Sequence, residues 1–183
     1  MIVYGRNPVR EAERGPRQLL RKWEDLPDEE LERICGSPDH QGVCAEVDPY
    51  PYADAVELLG TPDPLIVALD EVTAAVCKAS AGAVEHLAIA RVRNLADFLA
   101  EAKEAGTWVY GAESSDDARP YDEPDYSGGV VLVMGAEGKG LRPRVRASCD
   151  VLVSLPLRGR IESLNVSAAA AVLLYEAAKN RPS

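Results

Sequence analysis

Gly135-Ala136-Glu137-Gly138-Lys139-Gly140-Leu141 stands directly after an apolar run that ends at Met134. Three glycines behind a strand permit positive φ and let a ligand come close to bare backbone. In open α/β sheets ligands bind at the carboxyl ends of strands. No GK[ST] follows and the spacing is not GxGxxG, so a phosphate cradle is not supported, whereas a nucleotide-like ligand is compatible. A tight strand-to-helix turn accounts for the cluster equally well without any ligand. A second segment, residues 154–167, runs SLPLRGRIESLNVS. An apolar run meets Pro156, then a polar turn, then a helix start at Asn165 or Ser167. Helix capping explains Asn165 or Ser167. It does not explain Ser163, Leu164 and Asn165 together with the preceding Leu155-Pro156-Leu157.

The elements that must carry these segments read as an α/β domain. Leu65 to Leu69 and Gly129 to Met134 are continuous apolar runs, the pattern of strands buried on both faces. Ala88 to Val92, Thr107 to Gly111 and Val151 to Leu157 read as further strands. Thr73 to Leu87 reads as helix. Asn94 caps a helix over Leu95 to about Ala105 that Gly106 stops, and Ala168 to Lys179 favours helix by propensity. Strands alternating with helices predict a mainly parallel sheet. Glu113 to Ser127 is acidic and loop-like. Before residue 60, Asn7-Pro8 starts a short helix, Gly42 to Val47 is a short strand, and Asp54 to Leu59 forms one or two helical turns. Gly60-Thr61-Pro62-Asp63-Pro64 is the best linker in the chain. It predicts a small domain over 1–60 and a larger one over 61–183.

At 183 residues with 46% apolar and 27% charged side chains, the chain has a globular composition and enough length to bury a core. No run approaches a membrane span, and the N-terminus lacks the apolar stretch of a secretion signal, so a cytoplasmic protein is expected. The net charge of −10 argues against non-specific nucleic-acid binding. Its distribution says more. Residues 1–22 carry Arg6, Arg10, Arg14, Arg17, Arg21 and Lys22 against two acids, and residues 138–160 carry six basic groups against Asp150 alone. Between them, residues 24–57 hold eleven acids against Arg33. An acidic protein with two basic segments can bind a polyanion at one face, and a solvated surface explains residues 1–22 equally well. Cys35, Cys44, Cys77 and Cys149 form no CxxC pair. Cys35, His40 and Cys44 lie close but lack a fourth ligand nearby, so reduced thiols and no metal are expected.

The two segments together resemble motifs 2 and 3 of the SpoU/TrmH methyltransferases. These are S-adenosylmethionine-dependent RNA ribose 2′-O-methyltransferases of the SPOUT class. Val3-Tyr4-Gly5-Arg6-Asn7-Pro8-Val9 and Asp39-His40-Gln41-Gly42-Val43 resemble the N-terminal RNA-binding domain of the 23S rRNA guanosine branch. The resemblance implies a trefoil-knotted, mainly parallel sheet flanked by helices, preceded by a small α/β RNA-binding domain like ribosomal protein L30e. It implies S-adenosyl-L-methionine as cofactor, RNA as substrate (rRNA before tRNA) and a homodimer, for which the final helix with Val172, Leu173 and Tyr175 has apolar surface to hide. It assigns Glu137, Ser163 and Asn165 to catalysis, and Gly135, Leu155, Leu157, Leu164 and Asn165 to the cofactor. Arg6, Asn7, Arg10 and Arg142 are assigned to RNA.

One departure stands out. The family's motif 1, an Asn-x-Gly-type loop and a helix ending in arginine, should follow Leu65–Asp70 and lead to a second strand. Here Leu69-Asp70 runs straight into Glu71-Val72-Thr73, which resembles the segment after that second strand. Deleting a strand from a parallel sheet removes part of the core. The expectation is therefore that residues are left out of the numbering, with the backbone broken at Asp70–Glu71 and again between about Leu20 and Glu30. If motif 1 is truly absent, the chain is an inactive RNA-binding homologue. A nucleotide-binding α/β protein of another family is the third reading.

Overall fold

Alternate residues of one strand explain how the larger part of the chain is built. In the computed structural model, which describes residues 1–69, 86–135, 140–156, 164–179 and 181, the strand β7 (Val130–Met134) is buried along its whole length. Val131 and Val133 face one core with Val109, Leu99 and Val145. Val130, Leu132 and Met134 face another with Tyr110, Val153 and Leu173. That is the demand a parallel sheet makes when both faces are covered.

The chain divides by contacts into two units, one of Met1–Ala53 joined by residues 86–90, the other of residues 54–69 and 91 onward. The linker at 60–64 thus falls inside the second unit, which also holds the short helix before it.

In the first unit β1 (Ile2–Tyr4), α1 (Arg6–Arg14), β2 (Leu19–Glu24), α2 (Asp28–Cys35) and β3 (Val43–Val47) follow one another. The strands form an antiparallel sheet in the order β1-β3-β2. Val9 and Ala12 of α1 pack with Val3, Val43, Ala45 and Val47. Leu31 of α2 is fully buried. Arg17 is only 5% exposed, so one of the six basic residues of this segment belongs to the interior rather than to a solvated face. Its guanidinium donates to the Asp48 carbonyl at 3.3 Å and lies over the Tyr50 ring.

The chain is continuous from β2 to α2 through Asp25, Leu26 and Pro27, with Asp25 at positive φ making the turn. The break expected between Leu20 and Glu30 is therefore corrected: three residues suffice to connect the two elements. The junction Asp70–Glu71, and nearly all of the helix expected over 73–87, lie outside the described residues. The strand expected over Ala88–Val92 is reduced to a single bridge between Ala53 and Ala90. One bridge is all that the short Ala53 segment offers it.

In the second unit α3 (Ala55–Leu59) starts at Asp54, whose carboxylate accepts from the Val56 and Glu57 amides at 2.7 and 3.3 Å. The elements after it are β4 (Leu65–Leu69), α4 (Leu95–Glu104), β5 (Trp108–Ala112), β6 (Arg119–Pro120), β7, α5 (Pro143–Ser148), β8 (Val151–Ser154) and α6 (Val166–Ala178). Asn94 caps α4 by accepting from the Ala96 amide, and Gly106 at φ 82° ends it, as the sequence indicated. The five strands pair parallel in the order β4-β7-β5-β8-β6. Within the segment read as loop, β6 adds two residues to the edge. The strand expected over Val151–Leu157 ends at Ser154 because Pro156 cannot donate to the ladder.

At the amino ends of β4 and β7, Arg181 donates to the Asp63 and Gly128 carbonyls, each at 2.5 Å, and to that of Ala177 at 3.2 Å. Among the described residues no helix is long and apolar enough to cross a membrane.

Candidate active site

Three strands end side by side. Ala112 pairs with Met134 on one side and Val153 on the other, so Glu113, Gly135 and the Ser154–Leu155 turn share the carboxyl end of the sheet. The Glu113 amide donates to the Val153 carbonyl at 3.0 Å, which prolongs the β5 ladder by one residue. This is the edge at which open α/β sheets take ligands.

Gly135 leaves β7 and meets the backbone of Gly140 and Leu141. A Cβ on Gly135 would lie 2.5 Å from the Gly140 oxygen and 2.7 Å from the Leu141 nitrogen. Gly140 sits at φ 64°, and Leu141 then buries its side chain. Gly111, inside β5, is needed for a related reason. A Cβ there would meet Cys149 Sγ at 2.7 Å, Leu141 Cδ1 at 2.8 Å and Leu152 Cδ2 at 3.0 Å.

Beside this loop lies an ion cluster that sequence reasoning missed. Arg146 of α5 donates from Nε to Glu113 Oε2 at 2.5 Å, and from Nη2 to both Asp117 oxygens at 2.8 and 2.7 Å. The Arg146 hydrogen bond holds the Asp117 carboxyl below its ordinary range, and the two carboxylates raise the guanidinium in turn. One signal was legible: Glu113 is the first residue past an apolar strand end. Its partner stands 33 positions away and carries no local mark. Nearby, burial pushes the Cys149 thiol up to about 11.

Of the residues assigned to catalysis, Asn165 is described, and Glu137 and Ser163 lie outside the described residues. Asn165 is the N-cap of α6 and accepts from the Ser167 amide at 2.9 Å. The capping explanation is therefore realised in the fold. Of the cofactor residues, Gly135 and Leu155 follow β7 and β8, the strands on either side of β5. Leu155 is half-buried against the core beneath α6, Leu164 is 43% exposed, and Leu157 lies outside the described residues. Gly135 and Leu155 bring bare backbone and an apolar side chain to the carboxyl end of the sheet, chemistry that an adenosyl group can use. Whether Ser154–Lys179 threads the 135–141 loop turns on residues 136–139 and 157–163, which also lie outside the described residues.

The residues assigned to RNA fall in both units. In the first, Arg6, Arg10 and Lys22 line one groove, together with Glu13, Glu24 and Asp25. Lys22 is paired with Glu13 at 3.1 Å and Glu24 at 2.9 Å, so the groove is mixed in charge. Gln41 orders its rim, accepting from the Arg6 amide at 2.9 Å, and Asn7 accepts from Arg10 at 3.1 Å. Arg142, in the second unit, is the exposed N-cap residue of α5. The Cys35 thiol donates to the Ser37 carbonyl and His40 Nδ1 accepts from the Gly42 amide. Among the described residues no group of three acidic, His or Cys side chains could hold a metal. Leu173 is 1% exposed and belongs to the core, a correction to its place among the surface residues expected to be hidden in a dimer. Val172 at 40% and Tyr175 at 79% remain on the surface.

Comparison with known proteins agrees with this division. The SpoU rRNA methylase family model matches residues 56–175, and a model described as RNA 2′-O ribose methyltransferase substrate binding matches residues 21–53. YacO of Bacillus subtilis (strain 168), assigned by name to the TrmH family tRNA/rRNA methyltransferases, is 30% identical over 239 residues. That alignment covers 98% of this chain and 95% of YacO. An alignment of that length on 183 residues leaves many YacO positions opposite gaps in this chain. A tRNA/rRNA methyltransferase of Mycobacterium avium (strain 104), named as uncharacterized, is 35% identical over 192 residues. Here 86% of this chain spans 62% of the relative. Among solved structures, an AdoMet-bound rRNA methyltransferase from Sinorhizobium meliloti superposes with a TM-score of 0.81 at 21% identity, covering 100% of this chain and 88% of the other. The SpoU methyltransferase AviRb from Streptomyces viridochromogenes gives 0.74 at 23% identity, covering 99% and 89%. The mostly parallel five-stranded sheet flanked by helices is thus the SPOUT methyltransferase fold. With the family model matched over most of the chain and YacO aligned over nearly its whole length, the chain belongs to the SpoU rRNA methylase family.

Proposed function

We propose that the protein methylates a ribose 2′-OH in RNA with S-adenosyl-L-methionine, and that its target is a guanosine of 23S rRNA. The carrying observation is the bare backbone of Gly135 and Gly140 beside the aligned ends of β5, β7 and β8, in a chain whose other unit matches an RNA substrate-binding model. The cofactor supplies a methyl group on a sulfonium, already activated for in-line displacement. The protein's own residues have three tasks: to align the hydroxyl, to help remove its proton and to keep water out. Gly135 and Gly140 offer backbone groups to a neutral adenine, and Leu155, Leu157 and Leu164 offer apolar contact to the methylthio end. Glu137, Ser163 and Asn165 orient the 2′-OH, the group that marks the substrate as RNA. Arg6, Asn7, Arg10 and Arg142 hold phosphates. The protein acts as a cytoplasmic homodimer, with a trefoil-knotted methyltransferase domain in the second unit and an L30e-like RNA-binding domain in the first.

The test is methyl transfer from labelled cofactor to purified rRNA and tRNA, followed by alkaline hydrolysis. A 2′-O-methyl group blocks cleavage of the adjoining phosphodiester, so the label should emerge in alkali-resistant dinucleotides from rRNA. Label in alkali-sensitive mononucleotides would refute ribose as the acceptor, and label on tRNA alone would move the substrate. A second reading, an RNA-binding homologue without catalysis, is favoured by one observation. The helix and strand expected after Asp70 have no counterpart in the sequence, and the YacO alignment is far longer than this chain. Binding of cofactor and RNA without transfer would establish it.

A further inference from the structure

We propose that the groove of the first unit takes one unpaired guanine of the RNA, with the Asp25 carboxylate accepting from its N1–H and N2 amino group while Arg6 and Arg10 take the flanking phosphates. The proposal rests on the RNA methyltransferase reading and names what its substrate-binding unit reads.

The groove measures about 540 Å³ and lies between α1, the end of β2 and the 41–43 segment. Its acids and bases do not cancel evenly. Lys22 takes up two of the carboxylates, Glu13 at 3.1 Å and Glu24 at 2.9 Å. Arg6 Nε donates to the Gln41 carbonyl at 3.4 Å, a neutral partner. Arg10 donates to Asn7 at 3.1 Å and lies 3.6 Å from Glu11. Both arginines are exposed and keep further N–H groups for a ligand. Asp25 is the remaining carboxylate of the lining, and among the described residues no hydrogen bond or ion pair engages it.

A groove made for phosphate alone gains nothing from a free carboxylate, which repels the backbone it should attract. The ligand must therefore bring donors as well as anionic charge. Guanine is the base whose Watson–Crick edge sets two donors side by side, N1–H and the N2 amino group, to match the two oxygens of one carboxylate. Adenine and cytosine set one amino group beside an acceptor nitrogen, and uracil sets one N–H between two carbonyls. The nearly buried Val9 and Val43 and the half-buried Leu26 offer apolar surface to the face of a base. The backbone fixes the acceptor in place. Asp25 stands at φ 61° and Gln41 at φ 55°, two of the three non-glycine residues at positive φ among the described residues, and both line this groove. A solvated turn has no need of a carboxylate there, because glycine makes the same turn without strain.

The experiment measures fluorescence anisotropy of the full chain at low salt with short single-stranded uridine oligomers, each carrying one central guanosine, inosine or adenosine. The guanosine oligomer should bind about tenfold tighter than the adenosine one, and inosine, which lacks the N2 amino group, should fall between them. Asp25→Asn suits a positive φ and should abolish the preference. If Asp25 were a surface charge alone, its removal would tighten all three oligomers alike and keep their order, and that result overturns the proposal. Arg10→Gln should weaken the three by one common factor and flatten the salt dependence. Should Asp25→Asn not fold, the order of the three oligomers on the unaltered chain still decides. Equal binding of the three refutes the guanine site and leaves the RNA reading standing. An unaltered chain that binds neither the oligomers nor rRNA would overturn the RNA reading itself, and this proposal with it.

Discussion

Gly135 and Gly140 touch through bare backbone: a Cβ on Gly135 would lie 2.5 Å from the Gly140 carbonyl oxygen. The contact is backbone against backbone, so no side chain can swing aside to relieve an added methyl. Gly135→Ala must open the loop. The expected outcome is a loss of S-adenosylmethionine affinity of at least about tenfold, with the α/β circular dichroism spectrum retained. Unchanged affinity in a calorimetric titration would show that the loop does not form the cofactor site.

Gly111 makes the opposite kind of contact, against three side-chain ends at once. Gly111→Ala overpacks the seam where Leu141, Cys149 and Leu152 meet β5. The expected cost is about 1–3 kcal/mol. For a chain of this length each kcal/mol lowers the melting temperature by roughly 2–4 °C. Calorimetric melting checks it, and an unchanged transition would mean that the seam has room to spare.

Part of this was legible from the residues and part was not. Leu65–Leu69 and Val130–Met134 announce themselves because a strand covered on both faces has no polar side to blur the pattern. By contrast β2, with Arg21, Lys22 and Glu24 inside it, sits at the edge of its sheet, where charge is tolerated and the apolar signal fades. The helix α2 buries one leucine among acids, too little to mark a stripe. The glycine loop was visible as a motif because its residues are contiguous. The Glu113–Arg146 pair was invisible because only the fold brings its halves together.

The Cys149 thiol, raised from 9.0 to about 11 chiefly by burial, should be unreactive in the folded protein. The thiolate is the species that alkylates. Iodoacetamide at pH 8 should leave Cys149 unmodified by mass spectrometry, with modification appearing only as pH approaches 11. The same shift carries a stability consequence. The folded state keeps its proton where the unfolded thiol has lost it, so this contribution is complete below pH 9 and disappears as pH rises through 11. Cys149→Ala should unfold with a shallower loss of stability across that window. Ready labelling of Cys149 at pH 8 would contradict the burial of this seam.

Val172 and Tyr175 stand one turn apart on α6, 40% and 79% exposed, in a helix that is otherwise rich in alanine. The proposed homodimer gives that apolar surface a place to go. Charge there should be intolerable in an interface and harmless on a free face. Val172→Glu with Tyr175→Glu is expected to yield a folded monomer by sizing with light scattering, where the unaltered chain runs as a dimer at micromolar concentration. A monomeric unaltered chain would remove the dimer from the reading.

Arg181 latches two carbonyls, of Asp63 and Gly128, that lie more than fifty residues upstream of it. Translation makes β4 and β7 long before it makes this residue. Until this residue is made, the carbonyls of Asp63 and Gly128 lack the donor that the finished fold gives them. A nascent chain stalled short of that point should exchange backbone hydrogens near Asp63 and Gly128 faster than the released protein does.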